Sequence, residues 1–160
     1  MTQWDAVIVG AGAAGLFCAG VAGQRGLKVL VIDHSEKIAE KIRISGGGRC
    51  NFTNRNLDPS APQKHFISQN PHFCRSALSR YTPQDFIDLV QKHGIAFHEK
   101  HKGQLFCDHS AEDIIRMLLA ECDAGGVTLR NSCSVKAVRQ QEDGGYALDT
   151  SDGEMHTRSL

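Results

Sequence analysis

The sequence predicts an α/β fold in which a parallel sheet, flanked by helices, continues into an antiparallel β-meander. Residues 4–32 show a strand, a helix and a strand in succession, and residues 127–130 form a further short strand pattern. Beyond residue 133, turn signals at residues 143–145 and 151–153 separate three short segments. These observations predict one α/β unit that ends in a meander.

The composition fits one globular domain. Of the 160 residues, 18 are Lys or Arg and 18 are Asp or Glu, so the formal net charge is zero. A zero net charge argues against bulk binding of nucleic acid, and no run of like charge forms a basic arm or an acidic tail. The six cysteines include no Cys-x-x-Cys pair, which indicates reduced thiols. We therefore expect a cytoplasmic protein without a nucleic-acid partner.

The uncharged stretch at residues 6–24 resembles a membrane segment only superficially. Its five glycines disfavour an apolar helix that spans a bilayer. Asp5 precedes the stretch, whereas a secretory signal peptide begins with cations. We therefore expect no contact with a membrane.

The first βαβ unit follows from a change in hydrophobic pattern. Residues 4–9, Trp-Asp-Ala-Val-Ile-Val, form an apolar run that only Asp5 interrupts, which is typical of a strand buried on both faces. Gly10 ends this strand, residues 13–24 form a helix of small residues, and residues 27–32 form the second strand. The two strands are expected to be parallel, because a connection of this kind is almost always right-handed between parallel strands.

The middle of the chain contains two well-marked helices after a polar, irregular stretch. Thr82 is a helix cap, Pro83 occupies the first helical position and Asp85 completes a capping box. The next helix begins at Ser110 and ends before a pair of glycines at residues 125–126. A short helix is also expected from residue 71 onward.

Residues 10–15, Gly-Ala-Gly-Ala-Ala-Gly, form a dinucleotide-binding pattern between the first strand and its helix. Gly10 permits the turn, Gly12 lets the backbone approach a pyrophosphate, and Gly15 lets the helix pack on the strand. Asp33 ends the second strand, where a carboxylate accepts hydrogen bonds from ribose hydroxyls and repels a 2′-phosphate. The pattern predicts a site for FAD or NAD rather than NADP; the alternative is a glycine turn without a ligand.

A second glycine run, Ser-Gly-Gly-Gly-Arg-Cys-Asn, occupies residues 45–51. Consecutive glycines are entropically costly, but they allow a backbone to pass close to a ligand and to turn its N–H groups toward an anion. Arg49 adds a cation whose fork matches a phosphate. The alternative is a flexible surface loop. Cys50 is interpreted as a small packing residue rather than a redox thiol.

With these motifs the sequence resembles the BaiN/YhiN-like family of FAD-dependent oxidoreductases. The resemblance rests on residues 5–16 and 41–54, of which Gly-Gly-Gly-Arg-Cys-Asn is the specific part, and it extends through residues 103–106 and 126–129. It implies a Rossmann-like FAD-binding fold, incomplete here because the last strands and the substrate domain of the family are missing. Residues 1–160 are thus expected to be the N-terminal part of an FAD/NAD(P)-binding domain, inactive alone, with the first strand at the sheet edge.

The resemblance also implies which residues bind the cofactor. The first glycine motif is expected to hold the pyrophosphate, Asp33 the adenosine ribose, residues 45–51 the ribityl chain and flavin ring, and the backbone of Val135 the adenine. The complete set is Gly10, Gly12, Ala13, Ala14, Gly15, Asp33, Lys41, Ser45, Gly46, Gly47, Gly48, Arg49, Cys50, Asn51 and Val135.

The implied activity is a two-electron transfer between a donor, such as NADH or NADPH, and a small organic substrate that the sequence does not identify. Two alternatives stay open: a fragment of an NAD-binding dehydrogenase, and a dinucleotide-binding module without catalysis. The sequence identifies no catalytic acid or base and no oligomeric state. The three histidines and one cysteine within residues 98–109 match no standard zinc spacing, so we predict a polar hairpin there and no metal site.

Overall fold

The computed structural model describes residues 3–160. Within these residues the helices and strands follow in the order β1 (Gln3–Val9), α1 (Ala13–Gln24), β2 (Val29–Ile32), α2 (Glu40–Ile44), β3 (Asn51–Asn54), α3 (Arg75–Arg80), α4 (Pro83–Lys92), β4 (Phe97–Glu99), β5 (Gln104–Cys107), α5 (Glu112–Ala124), β6 (Thr128–Arg130), β7 (Val135–Gln140), β8 (Tyr146–Thr150) and β9 (Gly153–Ser159). The chain divides into two compact units. The first comprises the residues up to Ile42 together with Ile115–Leu160, and the second comprises Arg43–Ile114.

The first unit contains a six-stranded sheet in the order β6-β2-β1-β9-β8-β7. Strands β6, β2, β1 and β9 run parallel to their neighbours in that part of the sheet. Strands β7, β8 and β9 form an antiparallel meander. This arrangement confirms the predicted α/β fold class with a parallel sheet and a terminal meander.

The expectation that β1 lies at the sheet edge is wrong. The last meander strand, β9, runs beside β1, with Trp4 opposite Thr157 and Ala6 opposite Ser159. Within residues 3–160 this pairing stops at Ala6, and further along β1 the side chain of Val9 is 56% exposed. The turn before β9 reverses the chain, so that β9 lies antiparallel to β8 and parallel to β1.

The core of the first unit lies around β2, all four of whose residues are buried, as is typical of a central parallel strand. Burial on both faces was predicted for residues 4–9 instead, and there only Trp4 and Val7 are buried. One cluster of buried side chains joins several strands of the sheet: Trp4, Val7, Leu30, Ile32, Cys133, Leu148 and Met155. Helix α1 packs closely because its inner face carries small residues. A Cβ added at Gly23 would lie 2.6 Å from the carbonyl oxygen of Gly125, so glycine permits this approach.

The second unit contains an antiparallel sheet in the order β3-β5-β4. Strands β4 and β5 form the predicted hairpin, but only β4 is mostly exposed, because Leu105, Phe106 and Cys107 of β5 are buried. Strand β3 lies in a stretch that we expected to be irregular. The ring of Phe52 on β3 contacts the rings of Phe86 and Phe97, with centroid distances of 6.0 and 5.4 Å. These aromatic contacts join helix α4 to the sheet.

The capping box of α4 is confirmed, because the N–H of Thr82 donates to Asp85 Oδ2 at 2.7 Å and the N–H of Asp85 donates to Thr82 Oγ1 at 3.3 Å. The short helix expected from residue 71 instead begins at Arg75, after a turn in which the N–H of Phe73 donates to the carbonyl of Asn70. Among the helices of residues 3–160, none combines the length and apolar character needed to cross a bilayer.

Candidate functional site

The turn between β1 and α1 is built on glycine for two different reasons. Gly10 has a φ of +105°, which L side chains rarely adopt. Gly15 has no space for a side chain, since an added Cβ would lie 1.9 Å from the carbonyl oxygen of Gly10. Gly12 has an ordinary φ of −89° and no atom within 4 Å of an added Cβ. The turn therefore packs tightly against the protein at Gly15 and is open on its outer side at Gly12.

The open side of this turn presents backbone donors. Helix α1 has no side-chain cap, and its first residues are exposed. Among residues 3–160, no acceptor is bonded to the N–H groups of Gly12, Ala13 and Ala14. Free N–H groups at the positive end of a helix dipole attract an anion such as a pyrophosphate. The geometry is that expected of a dinucleotide-binding turn.

The carboxylate of Asp33 supports this turn directly. The N–H of Ala11 donates to Asp33 Oδ2 at 2.7 Å, and the N–H of Ser35 donates to Oδ1 at 2.8 Å. The side chain is 13% exposed. A carboxylate has about four lone-pair positions, and the hydroxyl of Ser35 occupies a third, so one stays available for a ribose hydroxyl. The sequence predicted the ribose role alone, and no local pattern indicates the bond to Ala11.

Burial by itself raises the pKa of Asp33, but hydrogen bonds from the backbone of Ser35 and Ala11 and from the hydroxyl of Ser35 outweigh that effect. The pKa therefore lies below its ordinary value of 3.8. The carboxylate is ionised at neutral pH, as both of its backbone bonds require.

We expect the substitution Asp33→Asn to lower the free energy of unfolding by about 1–3 kcal/mol at pH 7, because an amide NH₂ replaces one of two acceptors and leaves a backbone donor unpaired. Because the pKa of Asp33 is lower in the folded than in the unfolded state, its carboxylate contributes its full stabilisation above the unfolded pKa. This stabilisation is lost as the pH falls through the folded pKa. The difference between wild type and variant should therefore shrink below pH 3.8. Urea denaturation at several pH values measures it. The exposed Glu142→Gln variant is the control, and an equal loss there would contradict the assignment.

Two further bonds hold Ala11 of the turn and Asp33 beside it, and the sequence did not indicate either of their partners. The N–H of Ala39 donates to the carbonyl of Ala11 at 3.0 Å. The N–H of Cys133, on the connection from β6 to β7, donates to the carbonyl of Asp33 at 2.8 Å. Cys133 therefore lies beside the end of β2. Val135, two residues later, is half-buried at the start of β7.

Lys41, the predicted cofactor-binding residue on α2, is exposed.

The second glycine run adopts the conformation for which glycine is needed. Gly46, Gly47 and Gly48 have φ values of +58°, +67° and +84°. An added Cβ at Gly46 would lie 2.7 Å from the Phe106 ring, whereas those at Gly47 and Gly48 would meet nothing within 4 Å. The N–H of Cys50 donates to the carbonyl of Ser45 at 3.0 Å and closes the loop. One side of the loop packs against its own unit and the other is open.

The residues after these glycines alternate between surface and core. Arg49 and Asn51 are exposed, whereas Cys50 is buried. The N–H of Cys107 donates to the carbonyl of Arg49 at 2.9 Å, which fixes the loop to β5. Burial raises the pKa of the Cys50 thiol, although a bond with Ser45 partly opposes it. The buried, protonated thiol supports the interpretation of Cys50 as a packing residue.

Burial, together with the nearby Cys50 thiol, raises the pKa of Cys107 to about 12. Since only a thiolate reacts with iodoacetamide, we expect Cys107 to resist alkylation in the folded protein at pH 8, whereas the exposed Cys18 reacts. Mass spectrometry of the labelled peptides measures both rates. Labelling in urea should modify all six cysteines, and equal rates for Cys107 and Cys18 in the folded protein would contradict the assignment.

The structure therefore brings the first glycine motif, Asp33 and the chain that precedes Val135 together within the first unit. Residues 45–51 form a separate open loop within the second unit. The cofactor contacts of all these residues stay predictions.

The sequence matches the model of the HI0933-like protein Rossmann domain over residues 4–160. It is 56% identical over 149 residues to a ribosomal RNA dihydrouridine synthase of Escherichia coli, an alignment that covers 93% of this chain and 36% of the relative. It is 46% identical over 164 aligned positions to a protein of the same name from Haemophilus influenzae, covering 100% of this chain and 40% of the relative. The chain thus spans about two fifths of the length of these relatives.

The fold is similar to that of a glycine oxidase from Geobacillus kaustophilus, with a TM-score of 0.67 and 15% identity. The match covers 99% of this chain and 54% of the oxidase. At this identity the likeness concerns the fold alone, and it confirms the Rossmann-like class.

Proposed function

Since the chain belongs to the family of the HI0933-like protein Rossmann domain, we propose that it forms the FAD-binding part of a flavin-dependent oxidoreductase that reduces uridine to dihydrouridine in ribosomal RNA. The match agrees with the predicted resemblance to BaiN/YhiN-like flavoproteins at the level of the HI0933-like family. The two relatives are named ribosomal RNA dihydrouridine synthase and not BaiN. The substrate is proposed from the names of the two relatives, which are 56% and 46% identical to this chain.

The observation that carries the cofactor proposal is the open backbone at Gly12, Ala13 and Ala14. These residues have unpaired N–H groups among residues 3–160, and Gly12 has no neighbour within 4 Å of an added Cβ. The turn fits a pyrophosphate, and the remaining lone pair of Asp33 fits a ribose hydroxyl. The flavin contacts of residues 45–51 rest on the family resemblance.

Formation of dihydrouridine adds two electrons and two protons across the C5=C6 bond of uracil, and a reduced flavin supplies the electron pair when bound. We propose NADH or NADPH as the source of these electrons. The residues described here bind and orient the dinucleotide: the N–H groups of the turn and the helix dipole offset part of the charge of the pyrophosphate, and Asp33 fixes both the turn and the ribose. An RNA substrate departs from the expectation of a protein without a nucleic-acid partner. That expectation rested on the zero net charge, which argues against binding by the whole surface but not against binding by a local one.

Two measurements test the proposal. The purified full-length protein should show a flavin absorption band that NADH or NADPH bleaches. Ribosomal RNA from cells that lack the gene should lose a dihydrouridine detected by nucleoside mass spectrometry, and the wild-type gene should restore it. A colourless protein that binds NAD would favour the dehydrogenase alternative, and binding without electron transfer would favour the non-catalytic module. A flavin that bleaches without any change in the RNA would favour a small organic substrate.

A further inference from the structure

Residues 59–84, which we call the acid-free segment, contain no Asp or Glu but include Lys64, Arg75 and Arg80 and two histidines. The chain as a whole has equal numbers of acidic and basic residues, so this segment is a local concentration of positive charge. Asp58 and Asp85 lie at its borders, outside it. The segment lies entirely within the second unit.

The same segment exposes aromatic rings. Phe66, Phe73 and Tyr81 are the aromatic side chains among the exposed large hydrophobic residues of the part of the chain that the structure describes, and the ring of Phe73 is 84% exposed. Ile67, beside Phe66, is fully exposed. Exposed phenylalanine rings do not stabilise the fold, and when concentrated in one segment they mark an interaction surface.

The backbone of the segment is held in turns. The N–H of Asp58 donates to His65 Nε2 at 3.1 Å, and the N–H of His72 donates to Asn70 Oδ1 at 3.2 Å. The N–H of Arg75 donates to the carbonyl of His72 at 3.0 Å, and this bond closes a turn that contains Phe73. The rings and cations are thus presented on an ordered backbone.

We propose that the acid-free segment binds single-stranded RNA, with bases stacked on Phe66 and Phe73 and phosphates contacted by Lys64, Arg75 and Arg80. The identity of this RNA as the substrate rests on the proposed function. Interleaved cations and exposed aromatic rings are what binding of single-stranded RNA requires, because each base offers a stacking face and each phosphate a negative charge. A membrane surface is disfavoured, since the helix in the segment, α3, has six residues rather than a long amphipathic face.

The test measures the affinity of the flavin-loaded protein for a short labelled oligouridylate by fluorescence anisotropy. We expect Phe73→Ala to weaken binding roughly 5- to 150-fold, which is the effect of losing one stacked base. We expect Phe73→Tyr to keep the wild-type affinity, because tyrosine retains the aromatic ring. We expect Arg75→Gln to reduce the slope of log K against log salt concentration by about 0.7, whereas Phe73→Ala leaves that slope unchanged. The matched controls, Val138→Ala and Lys136→Gln, alter an exposed apolar and a basic residue of the first unit and should change neither quantity.

A wild-type protein that does not bind the oligouridylate, or a Phe73→Ala variant with full affinity, would overturn the proposal. A Phe73→Ala variant that alters self-association in sedimentation and leaves the RNA affinity intact would also overturn it, in favour of a protein-binding surface.

The dihydrouridine assay separates the two proposals. If wild type forms no dihydrouridine but Phe73→Ala weakens RNA binding, the proposed function fails and the RNA-binding surface stands. If wild type forms dihydrouridine and Phe73→Ala binds RNA equally well, the surface fails and the function stands. Flavin absorbance of each variant verifies that the cofactor site is intact.

Discussion

The substitution Gly15→Ala is expected to disrupt the glycine turn and to abolish binding of FAD. The added methyl group would lie 1.9 Å from the carbonyl oxygen of Gly10, and since that atom belongs to the backbone, either helix α1 or the end of β1 must move. Overpacking typically costs about 1–3 kcal/mol, and a clash between two backbone segments lies at or above the top of that range. We expect the Tm to fall by roughly 6–12 °C or more. Thermal denaturation and flavin absorbance measure the two effects.

The matched control is Gly12→Ala, three residues earlier in the same motif. Gly12 has a φ that alanine adopts freely, and no atom lies within 4 Å of the added Cβ. The free energy of unfolding without cofactor should therefore stay within about 0.5 kcal/mol of wild type. Affinity for FAD should nevertheless fall at least about tenfold, because the methyl group occupies the side from which a pyrophosphate approaches. Normal FAD affinity in this variant would contradict the placement of the pyrophosphate.

The second large effect is expected for Gly46→Ala in the second glycine run. Alanine at a φ of +58° is strained by roughly 1–2 kcal/mol. The methyl group would also lie 2.7 Å from the buried Phe106 ring and 2.9 Å from the backbone nitrogen of Asn51. Together with overpacking, the expected loss is about 2–5 kcal/mol, which lowers the Tm by roughly 4–20 °C. Thermal denaturation followed by circular dichroism measures it.

Gly47→Asn is the control for this loop. Its φ of +67° lies in the left-handed region that asparagine tolerates, and nothing lies within 4 Å of an added Cβ. Stability should change by less than about 1 kcal/mol. If both variants lose stability equally, the loss reflects backbone strain alone, and the contact between Gly46 and Phe106 does not decide the loop conformation.

Local signals in the sequence were sufficient for much of the first unit and for one helix of the second. Helix α1 has the predicted bounds at Ala13–Gln24, because the glycine turn before it and the change in hydrophobic period depend on adjacent residues. The capping box of α4 was predictable for the same reason, since Thr82 and Asp85 are three residues apart. The three meander strands were indicated by the turn residues between them.

The second sheet was harder to predict. Strand β3 consists of Asn51–Asn54, whose residues show no clear alternation of apolar and polar side chains. It is a strand because it pairs with β5, about fifty positions further along the chain, where Asn51 lies opposite Phe106. Its partner cannot be read from residues 51–54 themselves, and the glycines before β3 fit more than one conformation.

The sequence by itself determined where the first glycine turn lies, which acid ends the second strand, and that a meander follows, because these features depend on residues close together in the chain. Only the tertiary structure decided that β9 lies beside β1, that Asp33 accepts a bond from Ala11 22 residues away, and that Gly15 faces the carbonyl of Gly10 while Gly12 faces open space. The physical reason is that strand neighbours and side-chain acceptors are chosen by packing between distant segments, for which a local sequence pattern contains no signal.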